Sequence, residues 1–421
     1  KAAALTTAGT IEIDSTKTLT LSGVVSGAGS LIKASNGTLA LSGTNTYSGG
    51  TTIQSGALNT SADANTGTGS LTFSGGTLGV TSGYTTAKNA SLAGTGAVNV
   101  SGSETLNMSG VISGSGGTFS KSGSGTLVLA GSNIYTTDTV MEGGNLSISS
   151  NDNTGAGNFI FNGGSLQTTA NLTTTKTMSL SSAGTINTDT GTTFTVSGGI
   201  SGTGGALSKT GAGILALSGA NTYNSGTILN EGTLQVSADN NTGTGGWIFT
   251  GGDINITSGF TTAKEMALPS AGTVDVDGSQ TFTATGVISG SGALSKSGAG
   301  DLWLTGTNTY TGGSTVSGGK LIGTTSSLQG NIADNAAVEF NQSTDGTYAG
   351  TLSGTGSLAK SGTGTVTLSA ANSYGGGTTL SSGTLAISAD NNTGTGGYTF
   401  AGGTLNTTAD ITSTKGSTFT A

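Results

Sequence analysis

The sequence repeats itself at a long and nearly constant interval. The residues NTYSGGTTI, which begin at Asn45, return in altered form from Asn133, Asn221, Asn308 and Asn372. The tyrosines of these copies are 88, 88, 87 and 64 residues apart. One lysine of each copy keeps the same intervals: Lys33, Lys121, Lys209, Lys296 and Lys360. A fixed period over the whole chain predicts a repeat architecture, in which each unit packs mainly against its neighbours.

Within each unit, apolar residues alternate with polar or small ones. GTLALSG, from Gly37, recurs as GTLVLAG, GILALSG, GDLWLTG and GTVTLSA. Two further segments, SLTFSGG and GTIEIDS, recur in the same way. The alternation predicts short strands joined by Gly, Ser, Asn and Thr turns, and it argues against a disordered tract despite 79 glycines. The predicted inward residues of the first segment are Leu39, Leu41, Leu127, Leu129, Leu215, Leu217, Leu302, Leu304, Val366 and Leu368.

Strands this short bury a core only when coil is stacked on coil. The shorter fourth interval lacks 23 or 24 residues, which indicates that one coil has about this size and that the 88-residue unit holds roughly four coils. We therefore predict an all-β protein, a parallel β-helix (β-solenoid) with ~20–22 residues per coil and a rise of ~4.8 Å. Equivalent tyrosines are predicted to mark the same corner of successive units, ~19 Å apart.

The predicted solenoid is continuous over residues 1–421. Its units are approximately 1–23 (partial), 24–110, 111–198, 199–286, 287–350 (one coil shorter) and 351–421 (partial). The sequence shows no signal peptide, and Lys1 has the phase of Lys88, Lys176 and Lys264. We read the chain as one super-repeat from a longer array.

The composition excludes several kinds of chemistry. Only 8% of residues are charged, and the sequence contains no His, Cys or Arg. A Ser-His-Asp or Cys-His nucleophile, a His/Cys zinc site and an arginine phosphate clamp are therefore ruled out. The net charge of −8 argues against a nucleic-acid partner. We predict no enzyme activity and no catalytic, cofactor-binding or metal-binding residues.

Three features remain as candidate sites. Glu12/Asp14 and Asp275/Asp277 are carboxylate pairs predicted on one outward face, suited to acid/base work or Ca²⁺ but more consistent with surface charge. The loop SADANTGTG, from Ser61, has a calcium-loop composition but only one firm carboxylate, which favours a turn. Trp303 is predicted to face outward as a candidate partner contact, whereas Trp247 aligns with core positions.

The segment GSGALSKSGAGDLWLTGTNTYTGGSTVSGGKL, Gly290 to Leu321, resembles the passenger-associated repeat of bacterial autotransporters. So do its counterparts from Gly27, Gly114, Gly202 and Gly354. The resemblance implies a right-handed parallel β-helix, exported by type V secretion to the extracellular space or the outer cell surface. It also implies that membrane attachment depends on a C-terminal barrel or anchor outside these residues.

Three functions follow as expectations. The first is a rigid extracellular stalk that spaces an adhesive tip from the cell, or a surface fibre, with a role in attachment to cells or surfaces. Such a rod is expected to associate with itself end to end or laterally, because exposed terminal coils carry unpaired strand edges. The second is an adhesin module that binds glycans or cell-surface partners along its flank, with Trp303 in contact. The third, an enzyme acting on polysaccharide, rests only on the carboxylate pairs. No cofactor is expected for any of them.

Overall fold

The computed structural model describes residues 3–420, so Lys1 lies outside the described residues. The chain divides into two compact units. The first comprises the described residues up to Leu215 together with Thr222–Asn224. The second comprises Ala216–Asn221 together with the described residues from Ser225 onward.

The first unit is built from short strands. They are Ala3–Ala4, Gly9–Glu12, Thr18–Leu21, Val25–Ser26, Leu31–Ala34, Thr38–Leu41, Thr51–Ile53, Ala57–Thr60, Leu71–Phe73, Thr77–Val80, Tyr84–Thr86, Ala90–Leu92, Gly96–Val100, Thr105–Met108, Ile112–Gly114, Phe119–Ser122, Thr126–Leu129, Thr139–Met141, Asn145–Ile148, Phe159–Phe161, Ser165–Thr168, Leu172–Thr174, Met178–Leu180, Gly184–Thr188, Thr193–Val196, Ile200–Ser201 and Leu207–Thr210. The strand Ile214–Leu217 lies at the boundary between the units.

The second unit is built in the same way. Its strands are Thr227–Leu229, Thr233–Val236, Trp247–Phe249, Asp253–Ile256, Thr261–Thr262, Met266–Ala267, Gly272–Val276, Thr281–Ala284, Ile288–Ser289, Leu294–Ser297, Asp301–Leu304, Ser314–Val316, Lys320–Gly323, Ile332–Asp334, Ala337–Asn341, Gly346–Tyr348, Leu352–Ser353, Ser357–Ser361, Thr365–Leu368, Thr378–Leu380, Thr384–Ile387, Tyr398–Phe400, Thr404–Thr407 and Ser417–Phe419. The helices of the two units are short 3-10 turns at Asp63–Thr66, Asn151–Thr154, Asp239–Thr242 and Asp390–Asn392.

The prediction of an all-β parallel β-solenoid is confirmed, with about 20 residues per coil. Within a sheet, each strand pairs in parallel with the strand one coil earlier and the strand one coil later, and the strands at the two ends of a sheet pair on one side. In the first unit, one sheet stacks ten strands between Thr18–Leu21 and Ile200–Ser201. In the second unit, one sheet stacks nine strands between Thr261–Thr262 and Ser417–Phe419.

The core consists of ladders of inward side chains. Leu39 lies in register with Leu58, and Leu78 and Val98 continue the ladder. All four side chains are fully buried. Burial of each such residue contributes roughly 1.5–3 kcal/mol, which offsets the conformational entropy lost by a glycine-rich chain. The inward positions predicted for the GTLALSG segments are confirmed in every copy.

The repeat period differs from a whole number of coils. The ladder from Leu39 reaches Lys121 after four coils, which take 82 residues rather than 88. Each full repeat therefore exceeds four coils by one strand, and equivalent residues move to the neighbouring sheet. Lys33 lies in a six-stranded sheet, whereas its equivalent Lys121 lies in the ten-stranded sheet. The prediction that equivalent tyrosines mark the same corner, four coils apart, is wrong for this reason.

The fourth full repeat, residues 287–350, contains fewer coils and is called the short repeat below. Leu302 stacks on Leu321, Val338 and then Leu358, so three coils take 56 residues of a 64-residue interval. The register thus gives three coils plus one strand, where the other repeats have four coils plus one strand.

Candidate functional sites

The asparagine that opens each NTY motif holds a corner together. The Asn45 side-chain oxygen accepts a hydrogen bond from the backbone N–H of Val25, 2.7 Å away, in the preceding coil. Its amide nitrogen donates to the backbone oxygen of Asn65, 2.6 Å away, in the following coil. Asn133, Asn308 and Asn372 make the same two bonds. One buried side chain therefore links three coils where the chain has no strand to do so.

The tyrosine of the motif is a core residue. Tyr47 and its four equivalents are all buried. The Tyr47 hydroxyl lies 2.7 Å from the hydroxyl of Thr51, and Tyr135 and Tyr374 make the same contact with Thr139 and Thr378. Burial raises the pKa of Tyr47 to about 12. The motif thus recurs because each copy satisfies the polar groups of a strandless corner, and its tyrosines form no exposed stripe.

The five lysines that share the period of the repeat lie inside the solenoid. All of them are fully buried. The Lys121 ammonium donates to the backbone oxygens of Ser122, Gly123 and Gly143 at 2.7, 3.0 and 3.2 Å. Lys33, Lys296 and Lys360 each cap three equivalent carbonyls. Burial lowers the pKa of Lys121 to about 8, while three acceptors favour the ammonium, which has one hydrogen for each.

A second series of lysines closes the 3-10 corners. The Lys88 ammonium donates to the backbone oxygen and the carboxylate of Asp63, both at 2.6 Å. Lys264 binds Asp239 in the same way. Lys176 has no carboxylate at that position and donates to Thr154 and Gly155 instead. The sequence indicated the period of these lysines but did not reveal their burial, because lysine is rarely buried.

The carboxylate pair Asp275/Asp277 is engaged in surface hydrogen bonds. The Asn255 amide donates to Asp277 at 2.9 Å and to Asp275 at 3.4 Å. Ser297 donates to the second oxygen of Asp275 at 3.1 Å. Glu12 and Asp14 are exposed to solvent. These contacts favour the interpretation of both pairs as surface charge.

The SADANTGTG loops form the 3-10 corners. Asn65 is buried, and its side-chain oxygen accepts hydrogen bonds from the backbone N–H groups of Ser61 and Ala62 at 2.8 and 2.9 Å. The single carboxylate, Asp63, is paired with Lys88. Within residues 3–420, no group of three or more acidic side chains is arranged to hold a metal ion.

The two tryptophans lie on opposite faces of their strands. Trp303 occupies the outward row, partly exposed, between Thr283 and Ile322 of the neighbouring coils. Trp247 is buried, and its indole N–H donates to Thr242 at 2.9 Å. The core position predicted for Trp247 is confirmed.

Two further residues depart from their equivalents and were not singled out from the sequence. Asp334 is buried where Leu92, Leu180 and Leu268 stand in the other repeats. Gly79 stands on an outward row where Gln167, Asn255 and Asn406 stand in theirs. An alignment of the repeats, position by position, contains both signals.

Comparison with known proteins agrees with this architecture. The family model described as Passenger-associated-transport-repeat matches residues 31–59, 119–148, 207–236, 294–322 and 358–387. The chain carries five passenger-associated-transport repeats. Each matched segment covers one buried lysine, the GTLALSG-type strand and the NTY corner, so the family pattern coincides with the contacts described above. The resemblance predicted from the sequence is confirmed.

Part of the chain is also similar to an adhesin. The chain is 42% identical over 181 residues to the Adhesin BmaC autotransporter of Brucella suis biovar 1 (strain 1330). The match covers 42% of this chain and 5% of the adhesin. No solved structure matches the chain. Among residues 3–420, no helix has the length and apolar character needed to span a membrane.

Proposed function

We propose that this chain is part of the surface-displayed passenger of an autotransporter and that it acts in adhesion. The observation that carries the proposal is the coincidence of five passenger repeats with a solenoid in which each repeat buries one lysine against the carbonyls of its turns. Supporting it, the relative that shares 42% identity over 181 residues bears the name adhesin. The chain covers only 5% of that relative, so the location at the cell surface and the adhesive role belong to the proposal.

The proposal assigns no enzyme activity to the chain. An acid/base pair needs carboxylates that face a substrate, and Asp275 and Asp277 already accept hydrogen bonds from Asn255. Replacing both aspartates by asparagine tests this point. We expect attachment to remain unchanged, whereas loss of a polysaccharide-cleaving activity in this variant would contradict the assignment.

The decisive experiment displays the 421-residue chain on a non-adherent bacterium and measures attachment to cells and to abiotic surfaces. A strain that displays an unrelated solenoid of similar length serves as the control. Attachment above the control supports the adhesive role, and equal attachment contradicts it. We also propose that the chain associates with itself, as the sequence led us to expect, and sedimentation and electron microscopy of the purified chain test this as concentration-dependent growth of the particles.

A second candidate function is partner binding through Trp303. Its ring is partly exposed on the outward row, and Lys320 and Glu339, which form an ion pair at 2.8 Å, lie on the two strands that follow. An aromatic ring beside charged hydrogen-bonding groups is a common contact for glycans and proteins. Trp303→Ala is expected to reduce attachment if this row is the contact surface, and Trp303→Phe to restore it in part.

A further inference from the structure

Outward amide side chains form hydrogen bonds between coils in the second full repeat (111–198) and the third (199–286). In the second repeat, Gln167 accepts a hydrogen bond from Asn145 at 2.6 Å and donates to Asp189 at 2.7 Å. In the third repeat, Asn255 accepts from Gln235 at 3.0 Å and donates to Asp277 at 2.9 Å. A carboxamide on the middle coil therefore joins the coil before it to the coil after it.

The first full repeat, residues 24–110, lacks this carboxamide. Gly79 takes its place, in register with Asn59 on one side and Asn99 on the other. The Asn59 side chain has no hydrogen-bond partner among residues 3–420, and it covers Gly79, which is buried: a Cβ atom at Gly79 would lie 2.1 Å from the Asn59 side-chain oxygen. The Asn99 amide nitrogen donates away from the gap, to Ser122 at 3.2 Å.

The gap is part of a depression of about 460 Å³ on the first unit. Gly75, Thr77, Gly79 and Thr81 form its floor, since they are the outward residues of a single coil. Asn59 and Asn99 form its walls, two coils or ~10 Å apart. Two other depressions lie beside the ion pairs Asp63/Lys88 and Asp239/Lys264. They occupy equivalent corners of two repeats, and the ion pair lines each of them. The Gly79 depression therefore belongs to one repeat and has no corner-closing role.

The lining defines the chemistry of a ligand. None of the ten lining residues is charged, and Ser101 stands where the other repeats carry Asp189 and Asp277. A neutral ligand is therefore preferred over an ionic one. Asn59 offers an amide donor and acceptor that are unpartnered within residues 3–420, and in three other repeats a carboxamide (Gln167, Asn255 or Asn406) stands at the position of Gly79. An acetamido group enters this space when the Asn59 side chain rotates off Gly79, and it then lies one coil spacing, ~4.8 Å, from each neighbouring strand.

We infer that the Gly79 depression binds a neutral N-acetylated sugar, whose acetamido group replaces the missing carboxamide between Asn59 and Asn99. The hydroxyls of the ring would meet Thr77, Thr81 and Ser101, which also line the depression. This inference rests on the proposed adhesive role, and it assigns a ligand class to one flank of the solenoid.

Calorimetric titration of the purified 421-residue chain with N,N′-diacetylchitobiose tests the inference, with cellobiose as the comparison sugar without acetamido groups. We expect cellobiose and the Gly79→Asn and Asn59→Ala variants each to give binding about tenfold weaker or undetectable, since each loses one or two hydrogen bonds. Gly79→Asn copies the third repeat: its Cβ atom displaces the Asn59 oxygen, which lies at the end of a flexible side chain, so the variant should fill the gap while keeping the melting temperature. Gln235→Ala removes the amide equivalent to Asn59 in the third repeat and should leave binding unchanged.

Several results would overturn the inference: no binding by the native chain, equal binding of both sugars, or undiminished binding by a folded Gly79→Asn variant. A preference for a peptide carboxamide over both sugars would assign the depression to a protein partner instead. Because the titration uses purified chain, failure here is separate from failure of bacterial attachment. A chain that attaches but does not bind the sugar retains the proposed function and loses only this site.

Discussion

The corners at Asn133 and at Asn308 begin with the same motif, but different side chains pair their backbone groups. In the first, Asn133 donates to the backbone oxygen of Asn153, whose side chain accepts two backbone N–H groups and donates to Gly131. In the second, Asn308 donates to the backbone oxygen of Ser327, whose hydroxyl accepts the N–H of Thr324 at 2.7 Å. The comparison shows that a corner requires its backbone groups to be paired, while the pairing side chain can change.

The interior of the short repeat is also rebuilt. Asp334 replaces a buried leucine, and Phe340 stands where other repeats have Val100 or Val276. The Phe340 and Tyr348 rings pack 5.0 Å apart, and the Tyr348 hydroxyl donates to Gly330 at 2.6 Å. A missing coil is therefore tolerated when larger aromatic side chains fill the space and new donors meet the corner carbonyls.

Removal of a buried lysine is expected to have the largest effect. Lys121→Met keeps the apolar stem but leaves three carbonyls without a donor, so we expect a local loss of about 3 kcal/mol in the free energy of opening. Lys296→Met, in the short repeat, removes the same set of contacts and should cost as much. Hydrogen exchange of the adjacent strands measures both losses. A markedly smaller loss in the short repeat would show that its interior differs more than its contacts indicate.

The two corners should respond unequally to loss of the side chain that follows the motif. Asn153→Ala removes acceptors for two backbone N–H groups and one donor, for an expected cost of about 2–3 kcal/mol. Ser327→Ala removes mainly the bond to Thr324, for an expected cost of about 1 kcal/mol. Denaturant titration followed by hydrogen exchange compares them. Equal costs would mean that the serine corner is not the weaker substitute.

Asp334 should give the short repeat a distinct pH dependence. Burial raises the pKa of Asp334 to about 6, above its value of ~4 in an unfolded chain. The folded chain therefore takes up a proton between these values, and its stability should increase by about 1–3 kcal/mol as the pH falls from 7 to 4. Asp334→Asn keeps the shape and should abolish the increase. Exchange rates of strand Ile332–Asp334 at several pH values measure it, and the regular repeats, with leucine there, serve as the internal control.

The smallest effect is expected at the turn after the first buried lysine. Ser35 adopts a φ of 59°, where Gly123, Gly211, Gly298 and Gly362 have φ between 72° and 75°. A residue with a side chain is strained in this conformation, so Ser35→Gly should stabilise the turn by about 1 kcal/mol, less the entropy that glycine costs. Gly211→Ala is the reverse change and should destabilise its turn. Local exchange protection near each turn reports the sign.

The sequence predicted the strands, the inward leucines and the stacking of coils, because a period of two between turn residues leaves few other folds. It also indicated that the fourth repeat is shorter, from the interval between Tyr310 and Tyr374. The outward placement of Trp303 and the core position of Trp247 followed from the same alternation. The sequence could also have indicated the depression at Gly79, since three aligned repeats carry an amide there. Finding it required a comparison of outward residues, which contribute little to folding.

The tertiary structure alone decided which residues stack on one another. Successive coils differ in length, because turns absorb extra residues, so a period of 88 does not reveal that four coils take 82 residues. Lysine at an inward position likewise conflicts with its usual exposure, and only the stacked turns bring three carbonyl oxygens around each ammonium. Local alternation is a property of the chain, whereas the partners of a buried polar group depend on the register between coils, which arises only when the solenoid is assembled.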